Sequence, residues 1–146
     1  MIYNNSWQKS TMERFMTMLG EILMYYQCIE HDMKRIYSGM SSNDYYDSMD
    51  MLDGKNWGSI LIELENLDYS DNDPYFTVEE YKQLNKMREQ RNYWCHQCFL
   101  DFVYIQNDVE RYVKLEKLYR RLENEKENAY KLHKKMQEIY LEDFCE

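Results

Sequence analysis

Apolar side chains recur every three or four positions over the first third of the chain, which places them on one face of a helix. Ser10 or Thr11 is the expected cap at its start. Gly39, followed by a Ser-Ser-Asn cluster, is the expected end. The pattern predicts a long helix over residues 11–40. Its inward positions are Phe15, Leu19, Ile22, Tyr26, Ile29, Met33, Ile36 and Met40.

The next segment alternates short apolar runs with breaks. Residues 43–56 are acidic and rich in Tyr, and Gly54 interrupts them, so we expect a short helix or an irregular turn there. Residues 57–67 predict a short helix. A polar loop then leads to Pro74, because the residue before a proline is pushed out of helical geometry. The inward residues of the short helix are Ile60, Leu61, Leu64 and Leu67.

Two further helices complete the pattern. Thr77 and Glu80 have the spacing of a capping box, which predicts a helix running toward Tyr104, straight or kinked. Asn107 and Asp108 can cap a last long helix that ends near residue 140. Its polar middle, from Glu123 to Asn128, is expected to project beyond the core. Its apolar face consists of Tyr112, Leu115, Tyr119, Leu122, Ala129, Leu132, Met136 and Ile139.

The composition supports an all-helical fold. With one Pro and four Gly in 146 residues, the chain has too few turn-forming residues for a fold of many strands and turns. The expected fold is an all-α, antiparallel helical bundle of about four to five helices, with two long helices and one helix that carries the motif discussed below. We expect residues 1–146 to form a single domain.

Charge is distributed unevenly along an acidic chain. The net charge is −9, which argues against binding nucleic acid over the whole surface. Residues 1–81 hold 5 basic and 15 acidic side chains, whereas residues 82–146 hold 13 and 12. Residues 111–135 carry nine basic side chains against four Glu. A basic face that binds RNA is therefore permitted but not required.

The expected compartment is the cytoplasm. The N-terminal residues lack the apolar stretch of a signal peptide, and no segment approaches the roughly 18 to 20 apolar residues of a membrane span. The four cysteines, at positions 28, 95, 98 and 145, have no spacing typical of a disulfide framework. We expect free thiols and no contact with a membrane.

The strongest chemical signal is the run Arg91-Asn92-Tyr93-Trp94-Cys95-His96. A histidine can exchange a proton near neutral pH, and an arginine can hold phosphate oxygens with a planar fork of donors. The pair can therefore cleave a phosphodiester bond without metal. Five residues of a regular helix turn the chain by about 140°, so the two side chains would point in different directions. Either the helix is distorted there, or a second copy of the chain completes the site.

The same run resembles the signature of the HEPN superfamily, an Arg, a polar residue, three variable positions and a His. That family consists of small helical bundles that commonly dimerise, many of them metal-independent endoribonucleases of toxin–antitoxin and phage-defence systems. The resemblance implies that Arg91 and His96 are catalytic and that Asn92 orients the phosphate or His96. Substrate-binding residues are expected at Asn92, Arg88, Lys86 and Tyr93.

One position departs from the family pattern. Family toxins that are paired with a nucleotidyltransferase antitoxin often have a Tyr two residues after the His, where this chain has Cys98. Inhibition by modification of that tyrosine is therefore in doubt. Tyr104, the next Tyr, lies too far along the chain to take over the role.

Other interpretations compete for these residues. His96 can be a structural histidine, with Arg91 in a surface ion pair. A zinc site built from Cys28 and His31, or from Cys95, His96 and Cys98, has no usual zinc spacing, so neither metal nor another cofactor is expected. His133 lies among Lys131, Lys134 and Lys135 and is expected on a solvated or nucleic-acid-facing stripe.

The sequence therefore favours a homodimeric, metal-independent endoribonuclease that acts on RNA and has an antitoxin or another inhibitory partner. The alternative is a non-catalytic helical module that binds protein or nucleic acid. The two differ in whether Arg91 and His96 meet in one solvent-open cleft.

Overall fold

The protein is an all-helical bundle of five α-helices and one 3-10 turn, as seen in a computed structural model that describes residues 6–145. No strand occurs among these residues. In chain order the elements are α1 (Ser6–Met40), α2 (Tyr45–Leu52), α3 (Trp57–Asp68), α4 (Val78–His96), the 3-10 turn (Cys98–Asp101) and α5 (Asp108–Asp143). No helix of the described residues is long and apolar enough to cross a membrane.

The first helix buries the face that its apolar spacing predicts. Its side chains from Phe15 to Ile36 with the three-and-four spacing are all buried, and Met40 packs against the core at its edge. The expected cap was wrong, because α1 begins at Ser6. Ser10 and Thr11 lie within the helix, and Thr11 is buried. Residues 6–9 contain neither Gly nor Pro, so nothing there interrupts the helix before Ser10.

The two long helices run in the same direction. Lys126 pairs with Glu21 near the middle of the α1–α5 seam, and Arg35 lies over the ring of Tyr140 near the C-terminal end of both helices. The motif helix α4 runs antiparallel to both. Its start pairs with the far part of α5 through Glu80 and Lys135, and its end packs on the early part of α1. The expected antiparallel packing therefore applies to α4 and not to the pair of long helices.

Helix α3 packs on both α1 and α4, and α2 packs on α1. Asp44 and Asn56 cap α2 and α3, and Gly54 between them has a φ of 78°, a left-handed conformation that glycine adopts without strain. Trp57 is fully buried and donates its indole N–H to the carbonyl of Leu84 at 2.8 Å. This bond fixes α4 against α3.

Candidate functional site

The motif occupies the last two turns of a regular helix. The predicted capping box of α4 is confirmed, with Thr77 and Glu80 each accepting a hydrogen bond from the other's backbone N–H. The helix stops at His96, well before the expected Tyr104. The next residues form the 3-10 turn, which places Phe99 and Phe102 against Phe15. Burial of these rings accounts for the early end, and no kink separates the motif residues.

Arg91 points toward the interior of the bundle. Its Nη1 atom lies 3.0 Å from Oε2 of Glu30 on α1, and its guanidinium carbon lies 5.2 Å from the centre of the Trp57 ring. The side chain is 28% exposed, so part of the guanidinium remains open to solvent. The ion pair and the ring hold Arg91 in one orientation and leave some of its five donors available.

Asn92 and His96 point outward. They lie four residues apart on α4, and both are exposed. Within residues 6–145, neither side chain makes a hydrogen bond or an ion pair. The helix is continuous from Arg91 to His96, so the side chains of Arg91 and His96 diverge by about 140°. One chain therefore does not bring Arg91 and His96 into one cleft.

Tyr93 is engaged within the chain. Its hydroxyl donates to Oδ2 of Asp101 at 2.6 Å, and Gln97 donates to the other oxygen of that carboxylate at 3.0 Å. Burial, followed by the hydrogen bond to Asp101, raises the pKa of Tyr93. The bonds from Tyr93 and Gln97 lower the pKa of Asp101. A role of Tyr93 in binding substrate is thus restricted to its half-buried ring.

Lys86 and Arg88 lie on different sides of α4. The guanidinium of Arg88 lies close to Gly58 at the start of α3. A Cβ atom at position 58 would lie 2.8 Å from Nη1 of Arg88. Arg88 also lines a groove of about 530 Å³ between α3 and α4, whereas Lys86 lines a groove between α4 and α5. The predicted substrate-binding residues therefore surround the helix and do not share one pocket.

A cluster beside the motif joins α4 to the middle of α5. Trp94 donates its indole N–H to Oε1 of Glu125 at 3.2 Å, and Arg121 donates to Oε2 of the same carboxylate at 2.7 Å. The Arg121 guanidinium carbon lies 4.1 Å from the Tyr93 ring centre. Glu125 is only 7% exposed, so the expectation that this polar part of α5 projects beyond the core was wrong. The spacing of Arg121 and Glu125 predicts their pairing, but no local signal predicts the partner Trp94.

The structure also corrects the expected exposure of His133. This histidine is paired with Asp32 of α1 at 3.2 Å, and little of either side chain is exposed, so it does not lie on a solvated stripe. Burial raises the pKa of Asp32, while His133 and Arg35 oppose that shift. The neighbouring lysines suggested an exposed histidine, but a carboxylate about a hundred residues away in sequence determines its surroundings.

The cysteines do not assemble with histidines. Cys98 is buried and donates its thiol to the carbonyl of Trp94 at 3.3 Å, and burial raises the pKa of this thiol. Cys95 is exposed and Cys28 half-buried. Among residues 6–145, no three His, Cys, Asp or Glu side chains are placed to hold a metal ion.

No protein-family model matches the chain, and no match was found among curated proteins or solved structures. The resemblance to the HEPN superfamily rests on the motif residues, and it stays a prediction.

Proposed function

We propose that this protein is a metal-independent endoribonuclease whose active site lies at the end of α4 and is completed by a second copy of the chain. The observation that carries the proposal is the orientation of the motif residues. His96 and Asn92 are exposed and unpartnered within residues 6–145, whereas Glu30 and Trp57 hold Arg91 in place. RNA cleavage by attack of the 2′-hydroxyl needs an immobilised cation near the phosphate and an accessible proton acceptor near the hydroxyl.

The proposed reaction uses the substrate's own hydroxyl. His96 takes the proton of the ribose 2′-hydroxyl, whose oxygen attacks the adjacent phosphorus. The bond to the 5′-oxygen of the next nucleotide breaks, and that oxygen takes a proton from water, while His96 returns its own proton to the solvent. Arg91 stabilises the negative charge that develops on the phosphate oxygens. The products are a 2′,3′-cyclic phosphate and a free 5′-hydroxyl.

A two-fold dimer would solve the divergence of the two side chains. If the ends of α4 from two copies lie side by side, Arg91 of one chain can face the same phosphate as His96 of the other. Exposed apolar side chains occur near this end, which favours its burial by a partner. They belong to the α4–α5 connection and the first turns of α5, and are Leu100, Tyr104, Val109 and Val113.

The biological setting follows from the resemblance alone. We propose that the protein acts in the cytoplasm in a toxin–antitoxin or phage-defence system, with an inhibitory partner protein. Cys98 is buried and takes the position of the modified tyrosine, so an inhibitor is expected to bind the protein non-covalently.

The competing function is a non-catalytic helical module. Two observations favour it. Within one chain, Arg91 and His96 do not meet in one cleft, and an arginine that only ties α4 to α1 would make the same contact with Glu30. On that account His96 is a surface residue, and its replacement has no effect on any activity.

Incubation of the purified protein with cellular RNA in EDTA tests the proposal. We expect cleavage in the presence of the chelator, products with 2′,3′-cyclic phosphate ends, and no cleavage of DNA of the same sequence, which lacks the attacking hydroxyl. His96→Ala should lower the rate by about 10² to 10⁴-fold. The matched control is His31→Ala, which removes another exposed histidine, on α1, and should cleave at the wild-type rate.

Arg91 offers a second readout in the same assay. Arg91→Ala should lower the rate on the order of 10² to 10³-fold, and Arg91→Lys should restore it only in part, because a point charge cannot replace the planar fork. Full activity of His96→Ala, or activity that EDTA abolishes and zinc or magnesium restores, would overturn the proposal.

A further inference from the structure

A polar groove separates α4 from α5 beside the motif. The two helices run antiparallel, but long side chains rather than close backbone packing connect them. Lys86 and Gln90 face the groove from α4, one turn apart, and Asn124 and Asn128 face it from α5 with the same spacing. Together with Glu89, Arg121 and Glu125, they surround a cavity of about 400 Å³, so two acidic and two basic side chains line it. Apolar side chains normally close such a seam in a bundle, and here they do not.

Carboxamides supply much of the lining of this cavity. Gln90 accepts a hydrogen bond from the hydroxyl of the buried Tyr26 at 3.4 Å, and its NH₂ group makes no hydrogen bond within the described residues. Within the described residues, Asn124 and Asn128 make no side-chain hydrogen bond. Each carboxamide presents a donor and an acceptor side by side, which is the pattern that pairs with the N6 and N7 atoms of adenine.

Arg121 adds a flat, immobilised cation to the cavity. Its guanidinium carbon lies 4.1 and 4.9 Å from the ring centres of Tyr93 and Trp94, and its Nε atom donates to Glu125 at 2.7 Å. Its side chain is 43% exposed, so a ligand in the groove can contact it. Guanidinium planes and aromatic rings are the surfaces on which proteins stack unpaired RNA bases. Because Glu125 and the rings already hold Arg121, a stacked base would lose little of its binding energy to ordering this side chain.

We propose that the groove between α4 and α5 binds a nucleobase of single-stranded RNA, with adenine preferred. The base stacks on Arg121, and the carboxamides of Asn124 and Asn128 bind its edge. Lys86 provides a charge for the neighbouring phosphate. The inference rests on the proposed function for the identity of the ligand and names a subsite for that substrate. Gln90 precedes His96 by six residues, about 9 Å along the helix axis and about 120° around it, so a strand that crosses the surface of α4 obliquely can reach both.

Binding of labelled RNA to a His96→Ala background tests the subsite without cleavage. The probes are fluorescein-labelled oligoadenylate, oligocytidylate and oligouridylate, and the readout is fluorescence anisotropy. We expect oligoadenylate to bind most tightly. Asn124→Leu or Asn128→Leu should weaken its binding by about 5- to 100-fold and reduce the difference among the three probes. The control, Gln137→Leu, removes an exposed carboxamide farther along α5 and should bind all three like the parent.

The outcomes separate this subsite from the proposed function. If the wild-type protein cleaves RNA but the two Asn variants bind like Gln137→Leu, the subsite is refuted and the nuclease stands. If the variants lose adenine preference but the wild-type protein cleaves nothing, the subsite stands and the nuclease is refuted. If the His96→Ala protein binds none of the probes, the subsite is refuted, and cleavage of RNA by the wild-type protein decides the nuclease separately.

Discussion

Helix α5 makes two seams of opposite character. Along α1 it runs parallel, and buried apolar side chains such as Leu122, Ala129 and Met136 fill the contact. Along α4 it runs antiparallel and keeps its distance, with polar side chains facing a groove that Glu125 and Lys135 bridge. Apolar burial makes the α1–α5 seam a larger source of stability than the α4–α5 seam. The α4–α5 seam stabilises less, but it holds polar groups in fixed positions that a ligand can reach.

The largest expected difference between the seams concerns truncation of one side chain in each. Leu122→Ala removes a fully buried side chain from the α1–α5 seam and should lower the free energy of unfolding by about 2–5 kcal/mol. Asn124→Ala, two residues away and facing the groove, should change it by no more than about 0.5 kcal/mol. Chemical denaturation of both variants measures the contrast. Equal losses would show that the two seams contribute alike.

A smaller effect is expected from the buried carboxylate in the α4–α5 seam. Glu125→Leu leaves the indole N–H of Trp94 without an acceptor and Arg121 without its partner, which should cost about 1–3 kcal/mol. Glu125→Gln keeps an acceptor for Trp94 and should lose less. The control is Glu127→Leu, at an exposed position of the same helix. If Glu125→Leu unfolds at the same denaturant concentration as this control, the bridge does not stabilise the seam.

The smallest effect concerns the bridge near the start of α4. Burial alone would raise the pKa of Glu80, but the hydrogen bonds from Lys135 and Thr77 outweigh it and lower the pKa below the usual 4.5. Glu80 therefore stabilises the fold fully above that pH, and the contribution is lost as the pH falls through the lowered pKa. Glu80→Gln should cost less than about 1 kcal/mol at neutral pH, because the pair is partly solvated.

Denaturation at several pH values checks this contribution. The difference in free energy of unfolding between the wild-type protein and Glu80→Gln should disappear in acid. Glu79→Gln removes one member of the exposed ion pair with Lys82. Its free energy of unfolding should stay close to the wild-type value at every pH. If the difference between the wild-type protein and Glu80→Gln grows as the pH falls, the sign of the pKa shift is contradicted.

The seams also show what local sequence can predict. The three-and-four spacing of α1 predicted its buried face because burial of one helix stripe is a local property. The capping box at Thr77 was equally local. The surroundings of Glu125 and His133 were not predictable, because their partners, Trp94 and Asp32, lie on other helices. The end of α4 at His96 was missed because it depends on the packing of later aromatic rings against α1.

For the candidate site, the sequence predicted the residue types and the divergence of Arg91 and His96 on a regular helix. It did not predict that Glu30 and Trp57 hold Arg91, or that Arg121 packs on Tyr93 beside the groove. These contacts join residues far apart in sequence, and only the packed bundle brings them together.

Mixing two inactive variants tests the central claim most directly, that each active site combines Arg91 of one chain with His96 of another. Arg91→Ala and His96→Ala homodimers should each be inactive on RNA in EDTA. After the chains are mixed and allowed to exchange, each heterodimer contains one intact site, so activity should recover to about a quarter of the wild-type value. A mixture that stays as inactive as its components, although the chains exchange and the wild-type protein cleaves RNA, would contradict the shared site.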